Sequence, residues 1–200
     1  MKLVAILALL SASIWESKAP ADWTESELMN LLTDSPWAQM AGAPGDAASH
    51  GEGIQVYLAT AAPMLLAEAE SKRRHERKAN GPAREEDPLA AEARLWMEDN
   101  RASQIVVAVR VVRNKAFDDA ADTKRMEEES IMRVGRKKYK MTGNFPPIAA
   151  DPYLRIAFPR AVTEADKSVV FELYVPGGRP PYRTVEFRVK DMMWKGKLEL

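Results

Sequence analysis

Cysteine is absent from the 200 residues, and histidine occurs only at His50 and His75. The first absence removes disulfides, thiolate metal sites, cysteine nucleophiles and an acylated lipoprotein cysteine, so stability must come from packing. The second leaves too few imidazoles for the usual zinc sets. His75-Glu76 opens like a zinc-protease helix, but that motif needs a second histidine four positions on, where Ala79 stands. A serine-hydrolase Gly-x-Ser-x-Gly elbow is also missing; Ser103 and Ser168 each sit where a strand begins. Gly177-Gly178 is not followed by a helix and reads as a turn between strands, not a phosphate loop. Net charge is zero, with 29 basic and 29 acidic residues, so no global field draws in nucleic acid or an acidic substrate. No internal repeat is visible, and after the first residues no apolar run reaches bilayer-spanning length.

What is present begins with an address. Lys2 precedes an almost unbroken apolar run from Leu3 to Trp15, and Ala19-Pro20-Ala21 closes it with small residues. This is the layout of a secretory signal peptide over residues 1–21, with cleavage expected before Asp22 and a product that is periplasmic or extracellular. The run is shorter than the roughly 20 residues a membrane-spanning helix needs. Removing residues 1–21 leaves 27 basic and 28 acidic residues, because Lys2, Lys18 and Glu16 go with the leader. The remainder, 22–200, suits a single domain with a sizeable core.

The mature chain opens on a well-specified helix over 25–33. Thr24 and Glu27 have capping-box spacing, and Trp23 and Leu28 can close a hydrophobic staple. Thr33-Asp34-Ser35-Pro36-Trp37 stops it, and Ser35-Pro36 could start another single turn. Residues 41–53 read as a flexible Gly/Ala/Pro loop, and 54–200 as the core. Ile54 to Thr60 alternates like a half-buried strand, Ala61 to Ala79 reads as a helix ended by Asn80-Gly81-Pro82, and Pro88 to Asp99 as another. The latter should carry Leu89, Ala93, Trp96 and Met97 inward. Ile105 to Val112 is nearly continuous in β-branched residues, as in a central strand buried on both faces. Residues 116–129 suggest a surface helix or ordered loop. Strands are then expected at Ile131 to Met141, Tyr153 to Phe158, Ser168 to Val175, Tyr182 to Val189 and Lys195 to Leu200. The fold class is therefore α+β: N-terminal helices with two early strands, then a largely antiparallel sheet or sandwich.

Two basic clusters stand out: Lys72-Arg73-Arg74-His75-Glu76-Arg77-Lys78, spread around most of a helix, and Arg136-Lys137-Lys138-Tyr139-Lys140, which follows Gly135 in an expected hairpin. Together they could bind an anionic envelope surface. A solvated helix end and a charged sheet edge are the preferred account of them. Glu85-Glu86-Asp87 and Glu127-Glu128-Glu129 look like solvated charge, although glycosidase-type carboxylate pairs are set by the fold and not by sequence spacing. No catalytic, cofactor-binding or metal-ligating set is assigned.

Trp23-Thr24 with Glu27, Leu31-Leu32-Thr33-Asp34-Ser35-Pro36-Trp37-Ala38, and the ending Lys190-Asp191-Met192-Met193-Trp194-Lys195-Gly196-Lys197-Leu198-Glu199-Leu200 resemble a family of uncharacterised exported bacterial proteins. The similarity also touches Ile54 to Met64 and the strand near Ile105. It implies export and a shared fold, and it carries no activity and no catalytic residues. The shared segments read as structure: a Trp-bearing N-terminal motif packed on a C-terminal strand would clasp the domain shut. The expected function is an exported, non-enzymatic binding or envelope-associated module. The alternative is a hydrolase of envelope or extracellular polymers, working through carboxylates not identifiable in sequence. No cofactor is implied, and an envelope protein or polymer is the partner class considered.

Overall fold

The computed structural model describes residues 13–42, 53–78, 86–111, 117 and 119–200. Most of the apolar leader, most of the Gly/Ala loop with His50, the Asn80-Gly81-Pro82 stop, Glu85 and Val112 lie outside the described residues. The described chain is α+β with antiparallel sheets. Its helices are α1 (Ile14–Ser17), α2 (Glu25–Thr33), α3 (Ala62–Lys78), α4 (Pro88–Asn100) and α5 (Ala120–Glu129), with a 3-10 turn at Pro20–Asp22.

A five-stranded sheet contains β1 (Ala38–Ala41), β2 (Ile54–Leu58), β3 (Gln104–Arg110), β6 (Gly143–Phe145) and β7 (Tyr153–Pro159), in the order β1-β2-β3-β7-β6. A four-stranded sheet contains β4 (Ile131–Val134), β5 (Lys137–Lys140), β8 (Ser168–Tyr174) and β9 (Tyr182–Arg188), in the order β5-β4-β8-β9. The chain finishes in a small hairpin of β10 (Met193–Trp194) and β11 (Lys197–Leu198).

Register explains how the layers meet. Val56, Val109 and Leu154 stand in one row across β2, β3 and β7, and Leu58, Val107 and Ile156 in the next row on the same face. Phe158 on that face stacks against Phe171 of β8 with ring centroids 5.4 Å apart, joining the two sheets. The opposite face carries Tyr57, Ala108 and Arg155 in one row and Val106 beside Ala157 in another. Small side chains there let helices approach closely. β2 is accordingly buried on both faces, where alternation alone suggests a half-buried strand: Gln55 and Tyr57 are interior as well.

The N-terminal helix forms as its sequence dictates. Thr24 Oγ1 accepts the Glu27 N–H at 3.1 Å, and Glu27 Oε2 accepts the Thr24 N–H at 2.8 Å. Trp23, Leu28 and Leu31 enter the core. No second helical turn follows at Ser35-Pro36. Ser35 and Ala38 instead exchange backbone hydrogen bonds, and the chain leaves as β1. The stretch from Ile131 to Met141 forms the hairpin expected around Gly135, β4 and β5 turning there with φ +57°. Leu89 also departs from expectation: Ala93 and Met97 of α4 are buried, while Leu89 is 57% exposed.

The clasp is real, and it is made by Trp37. The Trp37 indole Nε1 donates to the Glu199 carbonyl at 2.9 Å. Glu199 Oε2 accepts the Ala62 N–H at 3.1 Å and an Arg101 guanidinium N–H at 2.7 Å. A carboxylate near the end of the chain thus caps the first turn of α3, where free N–H groups and the helix dipole favour negative charge.

Candidate functional site

The strongest polar constellation lies on the helix-facing side of the five-stranded sheet. Ala108 separates Tyr57 from Arg155 in the row across β2, β3 and β7, and its methyl leaves the space above open. α3 lowers Glu68 into that space. Glu68 Oε1 accepts the Tyr57 hydroxyl and lies 3.3 Å from the Arg155 guanidinium. Arg155 also reaches Asp151 Oδ2 at 3.0 Å, while Asp151 Oδ1 accepts the Tyr153 N–H at 3.3 Å. Tyr153 donates its hydroxyl to Gln55 Oε1 at 3.0 Å, and Gln55 Nε2 donates to the Leu32 carbonyl at 2.7 Å. The Tyr57 and Tyr153 rings meet edge to face at 5.2 Å.

Burial and charge act together on these groups. Burial, reinforced by the Glu68 carboxylate, pushes the Tyr57 hydroxyl well above the usual phenol range. Burial alone would lower the Arg155 guanidinium, but Glu68, Tyr57 and Asp151 around it reverse the effect and hold it above its ordinary value. An arginine this enclosed, 7% exposed, requires such partners.

A pocket of about 260 Å³ opens beside this network, between α4 and the segment joining β6 to β7. Leu89, Ala90, Ala93, Phe145, Pro146 and Ile148 form its apolar walls. Glu92, Asn144, Asp151, Tyr153 and Arg155 supply the polar lining. Leu89, exposed instead of buried, stands at this pocket. Apolar walls with a few convergent polar groups are the usual make-up of a small-ligand site.

A second, more open groove of about 480 Å³ runs between α3 and the start of α2, lined by Ala21, Trp23, Glu25, Arg73, Arg74, Arg77 and Lys78. It gathers the first basic cluster, whose charges are largely answered internally. Glu70, 4% exposed, takes Arg73 through Nε at 2.6 Å and Arg74 through Nε at 2.6 Å. Hydrogen bonds from Arg73 and then Arg74 hold the Glu70 carboxyl down at about 2. Arg74 also donates to the Trp23 carbonyl, and Lys78 pairs with Glu25 at 3.1 Å. The second cluster is on β5, the edge strand of the four-stranded sheet, where Lys137, Lys138 and Lys140 are exposed.

The remaining sequence candidates separate. His75 is exposed on α3. Among the described residues no group of three His, Asp or Glu side chains could hold a metal ion. Ser103 Oγ donates to the Asn100 carbonyl at 3.2 Å before β3, and Ser168 begins β8. Glu86 and Glu129 are not free solvated charge. Glu86 takes Lys72 at 3.1 Å and Arg94 at 3.2 Å; Glu129 takes Arg125 at 3.2 Å and the Tyr182 hydroxyl.

Sequence reasoning missed the Tyr57–Glu68–Arg155–Asp151 network. One signal pointed to it: Arg155 interrupts the apolar strand Leu154-Arg155-Ile156-Ala157-Phe158, and a charge at such a position needs a partner. No protein-family model, curated protein or solved structure matches the chain.

Proposed function

We propose that the chain is an exported, non-enzymatic binding module and that the pocket between α4 and the β6–β7 segment is its binding surface. The observation that carries this reading is the closed polar network at the pocket's inner end. Glu68 and Asp151 are both engaged by Arg155, and both Asp151 oxygens are occupied, so the groups position a surface and do not present a free nucleophile or base. Of the charged groups lining the pocket, Glu92 and Asp151 outweigh Arg155. The pocket therefore favours an apolar group ending in a cation or hydrogen-bond donor, such as an amine on an envelope protein or polymer. Export rests on the N-terminal signal layout, Lys2 followed by an apolar run that gives way to small residues.

Tryptamine is a suitable probe, with indoleacetate as the anionic control. Tryptamine should perturb the NMR signals of Phe145 and Tyr153, indoleacetate should do so more weakly, and Ala90→Trp should fill the pocket and abolish the effect. Equal responses to both compounds, or an unchanged response in Ala90→Trp, would count against the reading.

The hydrolase reading is kept alive by one fact: the fold brings the Glu68 and Asp151 carboxylates together across Arg155. It predicts that the wild type releases soluble fragments from purified envelope polymer and that Glu68→Gln and Asp151→Asn do not. Release by the wild type that both substitutions abolish would replace the binding proposal.

A further inference from the structure

We infer that residues 14–21 belong to the folded mature domain and that the leader is cut after Ser13, an inference resting on the proposed export. Ala19-Pro20-Ala21 favours a cut before Asp22 when the sequence is read by itself. A leader and its cleavage region are discarded, so they have no reason to make specific contacts with the domain they deliver.

Residues 14–21 make several such contacts. Trp15 on α1 packs edge to face on Trp37 with ring centroids 5.4 Å apart, covering the wholly buried side chain that forms the clasp. The Trp15 carbonyl accepts the Trp194 indole N–H at 3.4 Å, and Glu16 Oε1 accepts the Lys195 N–H at 2.9 Å. Lys18 pairs with Glu27, the same carboxylate that completes the capping box. The Pro20–Asp22 turn lies against α3, and Ala21 lines the basic groove. The segment therefore ties the N-terminal helix and the clasp tryptophan to the C-terminal hairpin, its bonds to Trp194 and Lys195 each spanning 179 residues. A cut before Asp22 would remove all of these contacts at once.

The sequence provides an alternative cut with the same chemistry. Ser11-Ala12-Ser13 places small residues at the positions that Ala19-Pro20-Ala21 would fill. It follows directly on the apolar run from Leu3 to Leu10, whose length lies within the usual range of about 7–15 residues. A leader ending at Ser13 is shorter than the common total of about 15–30 residues. That consideration favours Ala21, but it is general, whereas the packing of Trp15 and Glu16 is particular to this chain.

The full chain, expressed in a bacterial host, is recovered from the exported fraction, and its N-terminus is read by intact mass and sequencing. A start at Ile14 is expected. A start at Asp22 would overturn the inference and leave export standing, whereas a soluble cytosolic product keeping Met1 would overturn export itself. Proteins beginning at Ile14 and at Asp22 are then compared by thermal unfolding. The shorter should melt at least about 4 °C lower, as should Trp15→Ala in the longer, on the usual scale for a domain of this size. Equal melting of all three would show that the segment is not part of the fold.

Discussion

Individual side chains in this protein owe their behaviour to partners distant in sequence, and Arg155 is the clearest instance. Removing it leaves Glu68 and Asp151 facing each other and the Tyr57 hydroxyl without the cation that balances them. Losing one member of a buried ion pair costs about 3–5 kcal/mol. Here the carboxylates are 25% and 24% exposed. Arg155→Met should therefore destabilise by less than the full figure, about 2–3 kcal/mol in urea unfolding. Adding Glu68→Gln should recover part of the loss, a non-additivity that a double-mutant cycle would report.

Two titrations follow from the same local logic with opposite signs. The Tyr57 pKa is raised in the folded state, so between pH 10 and its folded value the native protein holds a proton that the unfolded chain has released. Stability should therefore fall as pH rises above about 10, and Tyr57→Phe should flatten that fall. Glu70 is depressed to about 2, so its contribution is complete above the ordinary carboxylate range and is lost as pH drops toward that value. Glu70→Gln should be less stable at neutral pH but lose less on acidification.

At the scale of elements, legibility followed the source of each element's specificity. The helix at Glu25–Thr33 was readable because its signal is local: Thr24 and Glu27 satisfy each other's backbone groups wherever the helix docks. Thr24→Ala should cost about 0.5–2 kcal/mol and Trp23→Ala about 3–5 kcal/mol, measurable by denaturant unfolding. Wild-type stability in Trp23→Ala would mean that the buried indole contributes nothing. β3 was readable from its continuous Val and Ile content, and β7, β8 and β9 from alternation.

β1 and β6 were not readable. Ala38-Gln39-Met40-Ala41 has little β propensity and is a strand only because β2 offers it an edge. Gly143-Asn144-Phe145 pairs with β7 just ahead of two prolines. The pocket lies beside β6, so much of the candidate site was hidden with it. Leu89 was misread for a related reason: helical periodicity gives a face, but the neighbour it meets is set by the tertiary arrangement.

For the whole molecule, the most consequential feature is that widely separated segments close on one another at Glu199. Its main-chain oxygen holds Trp37, and its carboxylate holds the first turn of α3 and Arg101. Arg160 adds a bond from its guanidinium to the Leu200 carbonyl at 2.7 Å, beside its bond to the Arg101 carbonyl at 3.2 Å. Glu199→Ala keeps the main-chain bond to Trp37 but frees the Ala62 N–H and the Arg101 Nη2, while Arg101 Nε keeps the Thr60 carbonyl at 2.9 Å. A buried donor deprived of its partner costs about 1–3 kcal/mol, and Arg101, 37% exposed, adds little, so a loss of about 1–3 kcal/mol is expected. Glu199→Gln keeps an acceptor for the Ala62 N–H without the charge and should fall between the two. The distinguishing measurement is amide hydrogen exchange. If the clasp couples distant parts of the chain, Glu199→Ala should raise exchange at the start of α3 and in the turn at residues 101–103 as well as at residues 193–200. Faster exchange confined to the last residues would mean that the C-terminal segment merely rests on the domain and does not hold it closed.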